Sequence, residues 1–148
     1  MKLIDFIVCD DIRQELFGKT TIVGVYSDLQ IALPTDNIKW PILLKLGFFI
    51  RFKAEDGIDI PDNFEVKFLQ EDNIFHSFQG NINIPSKSSY FNLIAVNNAF
   101  PIPKLGNISF QIVFKKDNKI INEITPDFTL AVNRVAAKHD GNTAPNKA

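Results

Sequence analysis

The sequence predicts an all-β fold, an antiparallel β-sandwich of about eight or nine strands. Three observations predict it. Apolar and polar residues alternate with period two in segment after segment. Turn-forming residues separate these segments. Phenylalanine, which favours pleated and half-buried surfaces, is abundant at 14, against one Trp and two Tyr.

The elements follow in chain order. An apolar N-terminal strand runs through Leu3–Val8, and Asp10 to Glu15 continues it as an extended strand end or turn. Ile12 and Leu16 alone make too thin an apolar stripe for a helix. Phe17-Gly18-Lys19 forms a turn in which Gly18 supplies a positive φ. A run from Thr20 to Leu33 follows, closed by Pro34-Thr35-Asp36-Asn37. Leu44, Leu46, Phe48, Ile50 and Phe52 then share one strand face, with Lys45, Arg51 and Lys53 on the other.

Asp56-Gly57 through Asn63 is a polar connection. Phe64, Val66 and Phe68 alternate with Glu65 and Lys67, and a hairpin turn is placed at Asp72-Asn73. Ile82 and Ile84, then Phe91, Leu93 and Ala95, make weaker alternating sets. Pro101 and Pro103 mark a strand edge or a crossing between sheets. Ile108, Phe110, Ile112 and Phe114 form another strand, ending in a turn at Asp117-Asn118. Phe128, Leu130 and Val132 form the last. The segments beginning at Phe64 and Ile108 echo one another as similar hairpins, which any two hairpins of a sandwich would do. Residues 1–135 therefore read as one domain, and 136–148 as a flexible tail without apolar periodicity.

A chain of 148 residues buries roughly two-thirds of its unfolded surface, so a core forms without disulfides or metals. Sixteen basic and 17 acidic residues are interspersed, for a net charge of −1. No nucleic-acid partner is expected from that balance. No apolar run is long enough for a membrane-spanning helix, and the acidic N-terminal run does not fit a signal peptide. The single Cys9 is neutral to mildly favourable for a reducing compartment, and the protein reads as cytoplasmic.

Cys9-Asp10-Asp11-Ile12-Arg13-Gln14-Glu15, followed by Gly18-Lys19 and the apolar strand with Gly24 and Tyr26, resembles the opening of a bacterial family of unknown function. The resemblance covers residues 4 to 33 and implies an all-β, immunoglobulin-like or C2-like sandwich. It implies no activity. In this segment Gly24 suggests a bulge or a close approach that Tyr26 covers. Asp10, Asp11, Arg13 and Glu15 are read as a local network of ion pairs and caps.

Constellations for chemistry are few. Cys9 has only His76 and His139 as partners for nucleophilic catalysis, and reads instead as a small buried hydrophobe. Two His and one Cys do not suggest zinc. Gly18-Lys19-Thr20 lacks the upstream glycine of a phosphate loop. Lys45, Arg51 and Lys53 beside Phe49 form a basic–aromatic mix, followed at once by Glu55 and Asp56. Asp56, Asp59 and Asp62 are the candidate metal ligands, since calcium takes converging loop oxygens. Val23, Val25, Phe49, Ile94 and Val96 point away from the inward set, giving strands that are apolar on both faces.

The function expected is therefore non-enzymatic: a β-sandwich that binds a protein partner, with a homodimer as one form. No cofactor is implied. The alternative is a C2-like module that responds to calcium or lipid through Asp56, Asp59 and Asp62.

Overall fold

The computed structural model describes residues 1–34, 37–84 and 89–135. The centre of the turn read at Pro34–Asn37, and the tail at 136–148, lie outside the described residues. The described residues form ten strands and one short 3-10 turn. The strands are β1 (Lys2–Gln14), β2 (Thr20–Val25), β3 (Gln30–Leu33), β4 (Ile42–Lys53), β5 (Asn63–Gln70), β6 (Asn73–Asn81), β7 (Tyr90–Ile102), β8 (Gly106–Lys116), β9 (Lys119–Ile124) and β10 (Leu130–Arg134). The 3-10 turn is Leu16–Gly18.

The strands make two sheets that pack face to face. One has the order β2-β1-β4-β7, and the other β3-β10-β8-β5-β6. β9 also pairs with β8. β10 lies opposite Gly106–Ile108 and β9 opposite Ile112–Lys116, so the two share one edge of β8.

Four expectations are corrected. Ten strands replace eight or nine, because Thr20–Leu33 divides. A turn at Tyr26–Leu29, with the Leu29 N–H donating to the Tyr26 carbonyl, sends β3 to the opposite sheet. The sheets are not purely antiparallel, since β3 runs parallel to β10. Ile82 and Ile84 follow β6 without joining a strand. The first hairpin turns one residue earlier than expected, at Glu71 and Asp72, with φ of 49° and 63°. The second turns at Asp117 and Asn118, with φ of 49° and 62°. Two successive positive φ angles match the twist of the flanking strands, and acidic and amide side chains tolerate them better than most.

The alternation resolves as expected on the inner faces. Phe64, Val66 and Phe68 of β5 and Ile108, Phe110, Ile112 and Phe114 of β8 are buried against Leu46, Phe48, Ile50 and Phe52 of β4. Phe68 stands at the junction. Its ring centroid lies 5.0 Å from Phe48, 4.9 Å from Phe100 and 5.7 Å from Phe110. Tilted and edge-on contacts of this kind add to the gain from burial itself.

Phe68→Ala is expected to cost about 3–5 kcal/mol, the loss of transfer energy plus a cavity. Chemical denaturation measures it, and a change below about 1 kcal/mol would mean that the two sheets are not joined through this ring.

Candidate functional site

β1 pairs with β4 from Lys2 to Cys9, and its last ladder partner on β4 is Gly47. Beyond that point it pairs only with β2. Residues 10–25 thus form a hairpin arm that leaves its sheet and crosses the outer face of β4. The residues explain the path. A Cβ on Gly47 would stand 2.9 Å from Cys9 Sγ and 3.1 Å from Ile12 Cγ1, so the bare glycine is the seat for both. Cys9, Ile12 and Phe49 are buried together, with Ile7, Ile22 and Ile94 packed around them. Gln14 lines a cleft with Leu93 and Ile94 of β7, two strands away from β1 in the sheet.

Polar contacts fix the arm's bend. Gly24 sits at φ +67°, and a Cβ there would meet Asp10 Oδ2 at 2.2 Å. The Tyr26 hydroxyl donates to Asp10 Oδ1 at 2.9 Å. Burial first, and the Asp10 carboxylate second, push the Tyr26 hydroxyl up to about 12. Asp11 pairs with Lys45 of β4 at 3.0 Å and with Arg13 at 3.2 Å. Hydrogen bonds from Lys45 and then Arg13 hold the Asp11 carboxyl below its usual range.

The tip of the arm is its least economical part. The Glu15 N–H donates to the Lys19 carbonyl at 2.8 Å and closes the loop. Within it Phe17 has φ 62°, a left-handed conformation that costs an L-residue roughly 1–2 kcal/mol. Phe17 is 96% exposed and Leu16 81%. Each forgoes about 1.5–3 kcal/mol that full burial would give.

Beside the arm lies a cleft of about 480 Å³ between the edge strands β6 and β7. Gln14, Phe64, Phe78, Gly80, Leu93 and Ile94 line it. Gly80 carries no side chain above the Phe64 ring, where a Cβ would come within 2.8 Å. Farther along the same two strands, His76 and Asn97 join β6 to β7. Asn97 Oδ1 accepts the Ala99 N–H at 2.9 Å, which turns the Asn97 Nδ2 donor toward His76 Nε2 at 3.2 Å. His76 Nε2 is then an acceptor, so the ring is neutral. Burial lowers its pKa, as a charged ring would be poorly solvated beside Phe68 and Phe100.

The residues singled out from sequence do not assemble into one site. Asp59 pairs with Lys116 at 3.2 Å, and Asp62 accepts the Asp117 N–H at 2.8 Å. These two acids tie their loop to the β8–β9 hairpin. Asp56 lines a separate depression with Lys2, Lys53 and Glu55. Among the described residues no group of three or more His, Cys, Asp or Glu side chains is placed to hold a metal ion.

Cys9 lies under the arm, whereas His76 is on the opposite sheet. Burial pushes the Cys9 thiol up, which disfavours the nucleophilic thiolate. Arg51 stands over the Phe49 ring at 5.7 Å and pairs with Asp5, and Lys53 stands over Tyr90. The basic–aromatic mix is thereby consumed within the face. Of the expected network of Asp10, Asp11, Arg13 and Glu15, Asp11 pairs with Arg13 and with Lys45, whereas Asp10 accepts from Tyr26 and Glu15 contributes its backbone N–H to the Lys19 carbonyl. The Leu16–Phe17 tip went unmarked by sequence reasoning as a site. Its one signal is an apolar pair placed in a turn, where the chain has nothing to bury it against.

Comparison with known families matches residues 4–129 to a family of unknown function, DUF6941, and the chain belongs to it. No curated protein and no solved structure matches the chain. No helix among the described residues is long and apolar enough to cross a membrane.

Two measurements probe this geometry. Gly47→Ala is expected to lower stability by about 1–3 kcal/mol by forcing Ile12 and Cys9 off their seat. Hydrogen exchange at Ile12 and Ile22 should speed up with it, and unchanged exchange would mean that the arm does not rest there. His76 has a folded pKa below its ordinary 6.5, so its contribution is present above 6.5 and is lost as pH falls through the folded value. The melting temperature should therefore drop on acidification, and His76→Gln should flatten that part of the profile. Parallel profiles for the two proteins would count against the His76–Asn97 link.

Proposed function

We propose that this member of the DUF6941 family is a non-enzymatic protein-interaction module whose contact element is the tip of the β1–β2 arm. The observation that carries the reading is Phe17, strained at φ 62° and 96% exposed. A side chain that costs energy twice in the free chain is explained if a partner covers it. Aromatic anchors seated in a partner's pocket supply much of the energy of protein interfaces. The arm also suits that task mechanically. It is pinned at its base by Gly47, Asp10 and Asp11, and it presents Leu16 and Phe17 beyond the last β1–β2 pair, Gln14 with Thr20. A preset anchor loses less conformational entropy on binding than a mobile one. The buried and raised Cys9 thiol supports a reading without nucleophilic catalysis.

The double variant Leu16→Ser/Phe17→Asn tests it. Asn tolerates the left-handed conformation, so stability is expected to stay level or rise by up to about 1 kcal/mol. Native mass spectrometry of the purified chain, and of the chain in cell extract, should show a defined complex with the wild type that the variant loses. Identical spectra for both proteins in both settings would remove the tip as a contact element.

A further inference from the structure

We infer that the His76–Asn97 contact is a proton-operated latch between the two sheets: when His76 takes up a proton the contact turns repulsive, and edge strand β6 lifts from β7 while the other strands stay paired. The latch shares no residue with the arm, so it stands or falls apart from the arm-tip reading. It is built on an amide whose orientation is fixed. Asn97 Oδ1 accepts the Ala99 N–H at 2.9 Å, and Asn97 Nδ2 donates to His76 Nε2 at 3.2 Å. A proton from solvent binds at Nε2, the ring nitrogen that carries the accepting lone pair. Two donors then face each other across the seam. Turning the amide over only moves the conflict, because Nδ2 would then meet the Ala99 N–H.

Among the described residues no carboxylate is placed to receive the new charge. His76 is the only titratable residue of β6. β7 holds Tyr90 alone, at its first position. On β5, Glu65 and Lys67 alternate with Phe68, the ladder partner of His76, and so take the opposite face. Glu71 and Asp72, in the turn before β6, are exposed, and Glu71 is paired with Lys104. The groups against the ring are aromatic, Phe100 at 5.0 Å and Phe68 at 5.8 Å between centroids. Burial, with no charged neighbour contributing, holds the His76 pKa below its ordinary 6.5. The latch is therefore closed at neutral pH and gives way as pH falls below 6.5 through the folded value.

β6 is the strand free to move. It ends its sheet and pairs only with β5, and their ladder shifts register between Phe68 and Leu69, beside His76. β5 keeps β8 on its other side. Lifting β6 uncovers Phe75 and Phe78, which pack on the core through Phe68, Phe100 and Phe48.

Hydrogen exchange read by mass spectrometry tests the latch on the purified full-length chain, from about pH 7.5 to about pH 5 and corrected for intrinsic rates. An NMR titration of the His76 ring accompanies it. Wild-type peptides from β6 are expected to gain about tenfold or more in exchange rate on acidification, relative to peptides from β8. Asn97→Asp sets a carboxylate against the ring without changing the side chain's shape. In that protein acid should hold the seam closed, and the ring should titrate above 6.5. His76→Gln should abolish the response to acid.

A wild-type ring that titrates at or above 6.5 would overturn the inference, since its surroundings would then welcome the cation. So would β6 and β8 peptides that accelerate together, the sign of global unfolding, or β6 peptides that do not accelerate at all. An acid response that persists in His76→Gln, or that is the same in Asn97→Asp as in the wild type, would assign the opening to other groups and remove the latch.

Discussion

The structure depends on one constraint: the middle of β4 is buried on both faces. Leu46, Gly47, Phe48, Phe49 and Ile50 are buried in succession, where a sandwich strand would ordinarily alternate. Phe48 and Ile50 point into the space between the sheets and meet Phe68 and its neighbours. Phe49 points the other way, where a two-layer sandwich offers nothing to cover it. The arm supplies the missing layer. Gly47 makes that possible, because only a residue without a side chain lets Ile12 and Cys9 settle onto the strand.

The position of the tip follows from this local choice. Once Ile12 is seated, the chain from Gln14 onward is directed toward β7 and the cleft beside it. The base of the arm is held by contacts of different character. Ile12 and Ile22 contribute apolar packing, Tyr26 and Asp10 a hydrogen bond, and Asp11 with Lys45 a solvent-exposed ion pair. Exposed ion pairs contribute little stability but resist misplacement of the charges they join. The apolar contacts carry the energy and the polar ones set the direction. Leu16 and Phe17 then stand in solvent because the hairpin ends there, not because they prefer it.

The acidic residues show how the same side chains can serve structure. Asp56, Asp59 and Asp62 share one loop, which made them the candidate calcium ligands. In the fold Asp59 binds Lys116 and Asp62 the Asp117 amide, stitching a long loop to a hairpin whose turn needs positive φ at both central residues. Asp10 and Asp11 likewise serve the arm's bend. Spacing along the chain says which acids are near one another in sequence. It does not say which cation or amide reaches them first.

The sequence by itself determined the inner faces. Alternation along β4, β5 and β8 placed Phe48, Ile50, Phe64, Phe68, Phe110 and Phe114 in the core, because strand geometry forces successive side chains to opposite sides. It also marked Phe49 and Ile94 as pointing away from that core, and it anticipated the Asp11–Arg13 ion pair. Only the tertiary structure decided what lies on the outer face. The split of Thr20–Leu33, the parallel β3–β10 pair and the seat on Gly47 all join residues far apart in the chain. Local periodicity reports which face a residue takes, whereas its neighbour across a face is set by how the sheets close. The tip of the arm combines both: its turn was written in Phe17-Gly18-Lys19, but its exposure was settled only when the arm crossed β4.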